Sequence, residues 1–211
     1  MKASQRALDV LQILAYRYPQ AGFGTQMDDD FHTLIATLLS AQTTDKQVLK
    51  IYPAFRERFP DAPSLARASV AEIESYVKTV GLYRTKARNI KRLAETLGDA
   101  PVPRTMEGLI ALPGVGRKTA SVVLACCFAT PAIAVDTHVH RVANRLGLVR
   151  TKVPTQTEKR LLALVPRERW SEVNRVLVPF GREVCSARSP KCPTCPIAHL
   201  CPYTKKTKPT V

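Results

Sequence analysis

The sequence predicts an all-α fold, and three observations carry that expectation. Apolar residues recur at helical spacing through most of the 211-residue chain, apolar–polar alternation of strand length is almost absent, and cap and stop signals bracket the periodic stretches. With 45% hydrophobic residues the chain can bury a real core, and its length falls between one and two typical domains.

In chain order, Ala7, Leu11, Leu14 and Tyr18 form the first helical stripe, and Phe31, Leu34, Ile35 and Leu38 the second. Val48, Ile51, Tyr52, Phe55 and Phe59 form the third. Ser69-Val70-Ala71-Glu72 has capping-box spacing and predicts a helix ending at Gly81; Ile90, Leu93, Ala94 and Leu97 mark another, stopped at Gly98. Asp99-Ala100-Pro101-Val102-Pro103 reads as a loop. Residues 132–135 are the best candidate for extended chain, but only as a short link between helices. Asp136 then stands as the N-cap of a helix with Val139, Val142, Ala143 and Leu146 on one face, ending at Gly147. Thr155-Gln156-Thr157-Glu158 repeats the capping-box signature, and residues 189–196 are too rich in proline and cysteine for a helix.

Lysine plus arginine outnumber acids 32 to 17, a net charge of +15, which points to a polyanionic partner, nucleic acid first. No run approaches the roughly 20 apolar residues of a membrane span, and the first residues lack the apolar core of a signal peptide, so a cytoplasmic protein is expected. Thiols stay reduced there, so the cysteines crowded near the C-terminus read as metal ligands rather than disulfides. Cys185, Cys192, Cys195 and Cys201 are spaced C-x6-C-x2-C-x5-C, a compact set of soft thiolates that suits zinc or an iron-sulfur cluster. Arg188 and Lys191 between the first two ligands could meet phosphates or simply be solvated. Cys126 and Cys127 fall in an apolar helix and read as packing residues.

The most informative stretch is Leu112-Pro113-Gly114-Val115-Gly116-Arg117-Lys118-Thr119-Ala120, which joins two helical patterns through a hairpin with two glycines. Glycines allow backbone amides to approach an anion, and the positive end of the next helix adds to that site; a plain helix turn is the alternative. Lys118 lies in the first turn of that helix, against the usual charge preference. It reads either as a phosphate contact or as a nucleophile, and a nucleophilic amine must be neutral, which calls for desolvation. Asp136 can serve as a cap, as a stabiliser of positive charge on a sugar, or as both.

Taken in order and separation, the hairpin through Lys118, the run Val135-Asp136-Thr137-His138 and the cysteine cluster resemble the bacterial endonuclease III family. Leu38-Leu39-Ser40-Ala41-Gln42-Thr43-Thr44-Asp45 and Val80-Gly81-Leu82-Tyr83-Arg84-Thr85-Lys86-Ala87 match further segments of that family. The resemblance implies a base-excision-repair DNA glycosylase and AP lyase that removes oxidised pyrimidines from duplex DNA through a lysine Schiff base and β-elimination. It implies two helical domains flanking a cleft: a six-helix barrel with a helix-hairpin-helix over residues 22–133, and residues 1–21 plus 134–211 with one [4Fe-4S] cluster on Cys185, Cys192, Cys195 and Cys201. Lys118 and Asp136 would be catalytic. Gln42 and Leu82 would fill and wedge the base stack, while Gly114, Val115, Gly116, Arg117, Thr119, His138, Arg188 and Lys191 would contact DNA. By its pattern alone, Leu82 reads as a buried residue after a glycine cap.

The resemblance implies that the lysine after Gly116-Arg117 separates this chain from adenine glycosylases and some mismatch thymine glycosylases that share the hairpin. The expected partner is double-stranded DNA with oxidised pyrimidines or abasic sites, met by a monomer near the bacterial nucleoid. One departure from the resemblance is the helix entering the cluster, which has Asn174-Arg175 and Pro179-Phe180-Gly181-Arg182 where the family is histidine-rich.

Overall fold

The computed structural model describes residues 2–19 and 27–207, so the domain boundary expected at Gly22 lies outside the described residues. The fold is all-α: eleven α-helices and three short 3₁₀ turns, with no strand among the described residues. The helices are α1 (Ala3–Arg17), α2 (Asp30–Leu39), α3 (Asp45–Arg58), α4 (Ala62–Arg67), α5 (Val70–Val77), α6 (Tyr83–Leu97), α7 (Met106–Ala111), α8 (Arg117–Cys127), α9 (Thr137–Arg145), α10 (Pro154–Leu164) and α11 (Trp170–Glu183). No described helix is long and apolar enough to cross a membrane. The chain forms two compact units, one of Phe23–Thr130 and one of Met1–Gly22 with Pro131–Val211.

In the unit Phe23–Thr130, α2 is buried from His32 through Leu39, so it occupies the centre. The hairpin helix α8 packs on it, α7 packs on α8, and α4 and α5 pack on α6. Side-chain caps start most of these helices: Asp29 accepts from the His32 amide, Thr44 from Gln47, Asp61 from Ser64, Ser69 from Glu72 and Thr105 from Gly108. The Ser69 box is half formed, because the Glu72 carboxylate pairs with Arg58 instead of reaching back. Helix α5 stops at Val77, short of Gly81, where the Val80 amide turns back to the Val77 carbonyl and Val80 is buried. Helix α6 ends where expected, with Gly98 at φ 54°.

In the other unit, α11 packs on α9 and α1, and α10 on the same two helices, around Leu11, Leu14, Val139, Val142, Leu161, Val176 and Phe180. The capping box expected at Thr155 does not form. Pro154 takes the first helical position, for which its φ is preset, so the helix begins two residues earlier with Val153 as an N-cap lacking a side-chain bond. Thr157 is buried instead, its hydroxyl bonding Thr151 and His140. Helix α11 runs through Pro179, and Phe180 is 1% exposed. A Cβ at Gly181 would stand 3.0 Å from the Cβ of His138, so this glycine lets α11 lie close against α9. The departure at 179–182 is thus a matter of how these two helices pack.

Candidate active site and cysteine loop

The α7–α8 hairpin is anchored by Leu112 and Val115, both buried, and closed by the Val115 amide on the Leu112 carbonyl at 3.1 Å. Its two glycines differ in kind. Gly114 has φ +80° and lies so near Asn89 that a Cβ would be 2.9 Å from that side chain. Gly116 has ordinary extended backbone, φ −91° and ψ 169°, and a Cβ there would meet nothing within 4 Å. The fold therefore explains the first glycine and not the second. As N-cap of α8, Gly116 has no side chain to bond the first amides of that helix. Lys118 and Arg117 are exposed in its first turn, and Thr119 is half-buried. Exposure of Lys118 departs from the desolvated setting expected of a nucleophile; in the DNA-free chain water reaches this amine.

Two further loops of the same unit stand out for their backbone. Gln42, between α2 and α3, has φ 55°, and Leu82, at the start of α6, has φ 58°; both side chains are exposed, Leu82 to 59%. Leu82 is thus not the buried residue that its pattern suggests, because left-handed backbone turns its side chain outward. Behind these loops is Lys86, only 5% exposed, whose Nζ donates to the Leu39 carbonyl at 2.7 Å and to Thr43 Oγ1 at 3.0 Å. Burial pushes its amine down to about 8. The sequence carried a signal for it: Lys86 falls on the buried stripe of Ile90, Leu93 and Leu97, a cation at a core position.

In the other unit, Asp136 caps α9 through one oxygen: Oδ1 accepts from the amides of His138 at 2.9 Å and Val139 at 2.8 Å. The segment leading to it is pinned by Asn174, 4% exposed, which accepts from the Ala134 amide at 2.8 Å and donates to the Ala134 carbonyl at 2.5 Å. His138 is half-buried, and Arg141 donates to its Nδ1 at 3.1 Å while also donating to the carbonyls of Gly181 and Cys185. Burial lowers the His138 ring from its ordinary value, with Arg141 and Arg182 adding and Asp136 opposing. A neutral ring suits a hydrogen-bonding rather than a cationic role.

The cysteine loop follows α11. Burial raises the Cys195 thiol, and Cys201, Cys185 and Cys192 each add to the rise. Four soft thiols gathered on one loop are a donor set that fits an iron-sulfur cluster. Arg145, a residue the cysteine spacing gives no hint of, organises the loop. Its guanidinium donates to the Ser186 carbonyl at 2.6 Å, the Ala187 carbonyl at 2.8 Å and Cys185 Sγ at 3.5 Å, and stacks on Tyr203 at 4.8 Å. Arg188 and Lys191 are exposed on the same loop. Burial pushes the thiols of Cys126 and Cys127 up to about 12 and about 11, as befits packing residues.

Residues 35–167 match the HhH-GPD superfamily of base excision DNA repair proteins. Residues 185–201, which begin and end on the outer two cysteines, match the iron-sulfur binding domain of endonuclease III. Endonuclease III of Synechocystis sp. is 43% identical over 94% of this chain and 92% of its own. That of Escherichia coli K12 is 39% identical over 95% and 97%. A solved structure of a trapped endonuclease III–DNA covalent intermediate matches with a TM-score of 0.90 at 41% identity, covering 96% of this chain and 97% of that one. The chain belongs to the endonuclease III family.

Proposed function

We propose that this DNA glycosylase and AP lyase of base excision repair removes oxidised pyrimidines from duplex DNA, with Lys118 as its nucleophile. The observation that supports this most directly is an exposed lysine at the second position of α8, immediately after the hairpin that would hold the phosphates. The neutral Lys118 amine attacks C1′ of the everted nucleotide; the C1′–N bond to the base breaks, and the base leaves with a proton. Loss of the amine proton and opening of the sugar give a Schiff base, which acidifies C2′. Removal of a C2′ proton expels the 3′ phosphate. Because Lys118 is bathed by water in the free chain, the everted nucleotide itself must exclude that water and favour the neutral amine.

Oδ1 of Asp136 is taken up by the α9 cap, and Oδ2 is the atom we assign to stabilising positive charge as the base departs. Gln42 and Leu82 occupy and wedge the vacated stack, and Gly114, Val115, Gly116, Arg117 and Thr119 hold the backbone. His138 hydrogen-bonds the strand, and Arg188 and Lys191 meet phosphates. The cofactor is one [4Fe-4S] cluster, and Cys185, Cys192, Cys195 and Cys201 would hold it. When bound it supplies a staple, its binding free energy adding to that of folding the loop. We place the protein in the cytoplasm, with the nucleoid DNA.

Borohydride reduction of the Schiff base is the test. The unsubstituted protein should be trapped on duplex DNA bearing thymine glycol, and Lys118→Gln should give no adduct while still binding the duplex. A robust adduct from Lys118→Gln overturns the assignment.

A further inference from the structure

Three described non-glycine residues have left-handed backbone. One, Ala129, follows the end of α8, where such a residue is ordinary helix termination. The other two are Gln42 and Leu82, and neither ends a helix in that way. Leu82 even serves as an N-cap in this conformation, where an extended residue is the norm. Such backbone persists only where its surroundings impose it.

What imposes it is a small polar clamp. Thr43 Oγ1 accepts the Gly81 amide at 3.0 Å and the Lys86 ammonium at 3.0 Å, so one hydroxyl ties the residue after Gln42 to the residue before Leu82. Lys86 reaches on to the Leu39 carbonyl at the end of α2, and its own amide donates to the Leu82 carbonyl at 3.0 Å. A Cβ at Gly81 would stand 3.0 Å from the Gln42 carbonyl oxygen, so the two loops touch through backbone. Gln47 adds a bond from Nε2 to Thr79 Oγ1 at 2.8 Å. Lys86 Nζ bonds a carbonyl and a hydroxyl, and a hydrocarbon would occupy the same site without the cost of burying an amine.

We propose that Lys86 and Thr43 are positioning residues for base eversion: they lock the Gln42 and Leu82 loops together as one rigid two-pronged probe. The proposal rests on the reading that Gln42 and Leu82 enter the DNA stack. A clamp of this kind matters most when a paired, stacked base must be displaced, and least when no base is present.

The full-length, cluster-loaded protein carries the test. Single-turnover excision of thymine glycol from duplex DNA is compared with borohydride trapping on a preformed abasic site in single-stranded DNA, and 2-aminopurine beside the lesion reports unstacking. Lys86→Met should slow excision from the duplex about tenfold or more and suppress the fluorescence rise, with trapping changed less than about twofold. Thr43→Val should reproduce this pattern and Thr43→Ser should restore both signals, which keeps the test available if Lys86→Met does not fold. Equal losses on both substrates, or a full fluorescence rise in Lys86→Met or Thr43→Val, overturn the clamp. A Gln42→Ala, Leu82→Ala double variant separates the readings: if it retains the fluorescence rise, the probe itself is wrong. If it loses the rise while the clamp variants keep it, only the clamp is.

Discussion

At Asp136 the cap and the proposed chemistry use different atoms, since Oδ1 takes both amide hydrogen bonds of α9. An asparagine keeps an oxygen for the cap and loses the charge. Asp136→Asn is therefore expected to shift stability by less than about 0.5 kcal/mol, whereas Asp136→Ala, which removes the cap, should cost about 1 kcal/mol. Base excision should fall by about a hundredfold in both variants, because neither can stabilise a developing cation. Thermal unfolding and single-turnover excision, measured on the same preparations, distinguish the two roles. An Asp136→Asn protein with normal excision would leave Asp136 as a cap alone. Residue type carried much at this scale: the cap at Asp136 and the packing role of Cys126 and Cys127 follow from spacing and neighbours. The exposure of Leu82 does not, because hydropathy reports what a side chain prefers and φ decides where it points.

The hairpin between α7 and α8 has two glycines that one substitution type tells apart. Gly114→Ala forces a Cβ onto a left-handed backbone and into Asn89, and should destabilise the protein by about 1–2 kcal/mol from the backbone alone. Gly116→Ala meets open space and ordinary backbone, so stability should change by less than about 0.5 kcal/mol. The added methyl puts bulk at the N-cap where a phosphate would approach α8, so duplex binding should weaken uniformly across sequences. Unfolding midpoints and binding isotherms on two unrelated duplexes check both halves; unchanged affinity in Gly116→Ala would remove the phosphate role of this hairpin. Elements whose start is set by one strong residue were readable from sequence, as with Asp136 for α9 and Gly98 closing α6. Where two signals competed the sequence pattern misled: Pro154 outranks Thr155 because its φ is already helical, and Glu72 prefers Arg58 to its own cap.

Across the whole chain, a charge of +15 identified the partner class before any geometry, since a phosphate backbone is read by charge and not by sequence. The cluster loop was visible as four cysteines, but its scaffold was not, because Arg145 and Tyr203 contact it from separate parts of the chain and no local pattern announces such a stack. Residues 185–207 hold only two 3₁₀ turns, and most of the backbone bonds within them close turns of two or three residues, such as Cys195 to Cys192 and Cys201 to Ala198. The unit Phe23–Thr130 has instead a core of its own around α2. Removing the iron should therefore abolish amide hydrogen-exchange protection across residues 185–207 while leaving α2, α6 and α8 protected. Loss of the ordered loop also frees Arg188 and Lys191, so the slope of log affinity against log salt should become shallower by about 1.8, or about 0.9 for each phosphate contact. Protection lost equally in α2, α6 and α8 would mean that the cluster supports the entire fold, and an unchanged salt slope would remove Arg188 and Lys191 from the DNA interface.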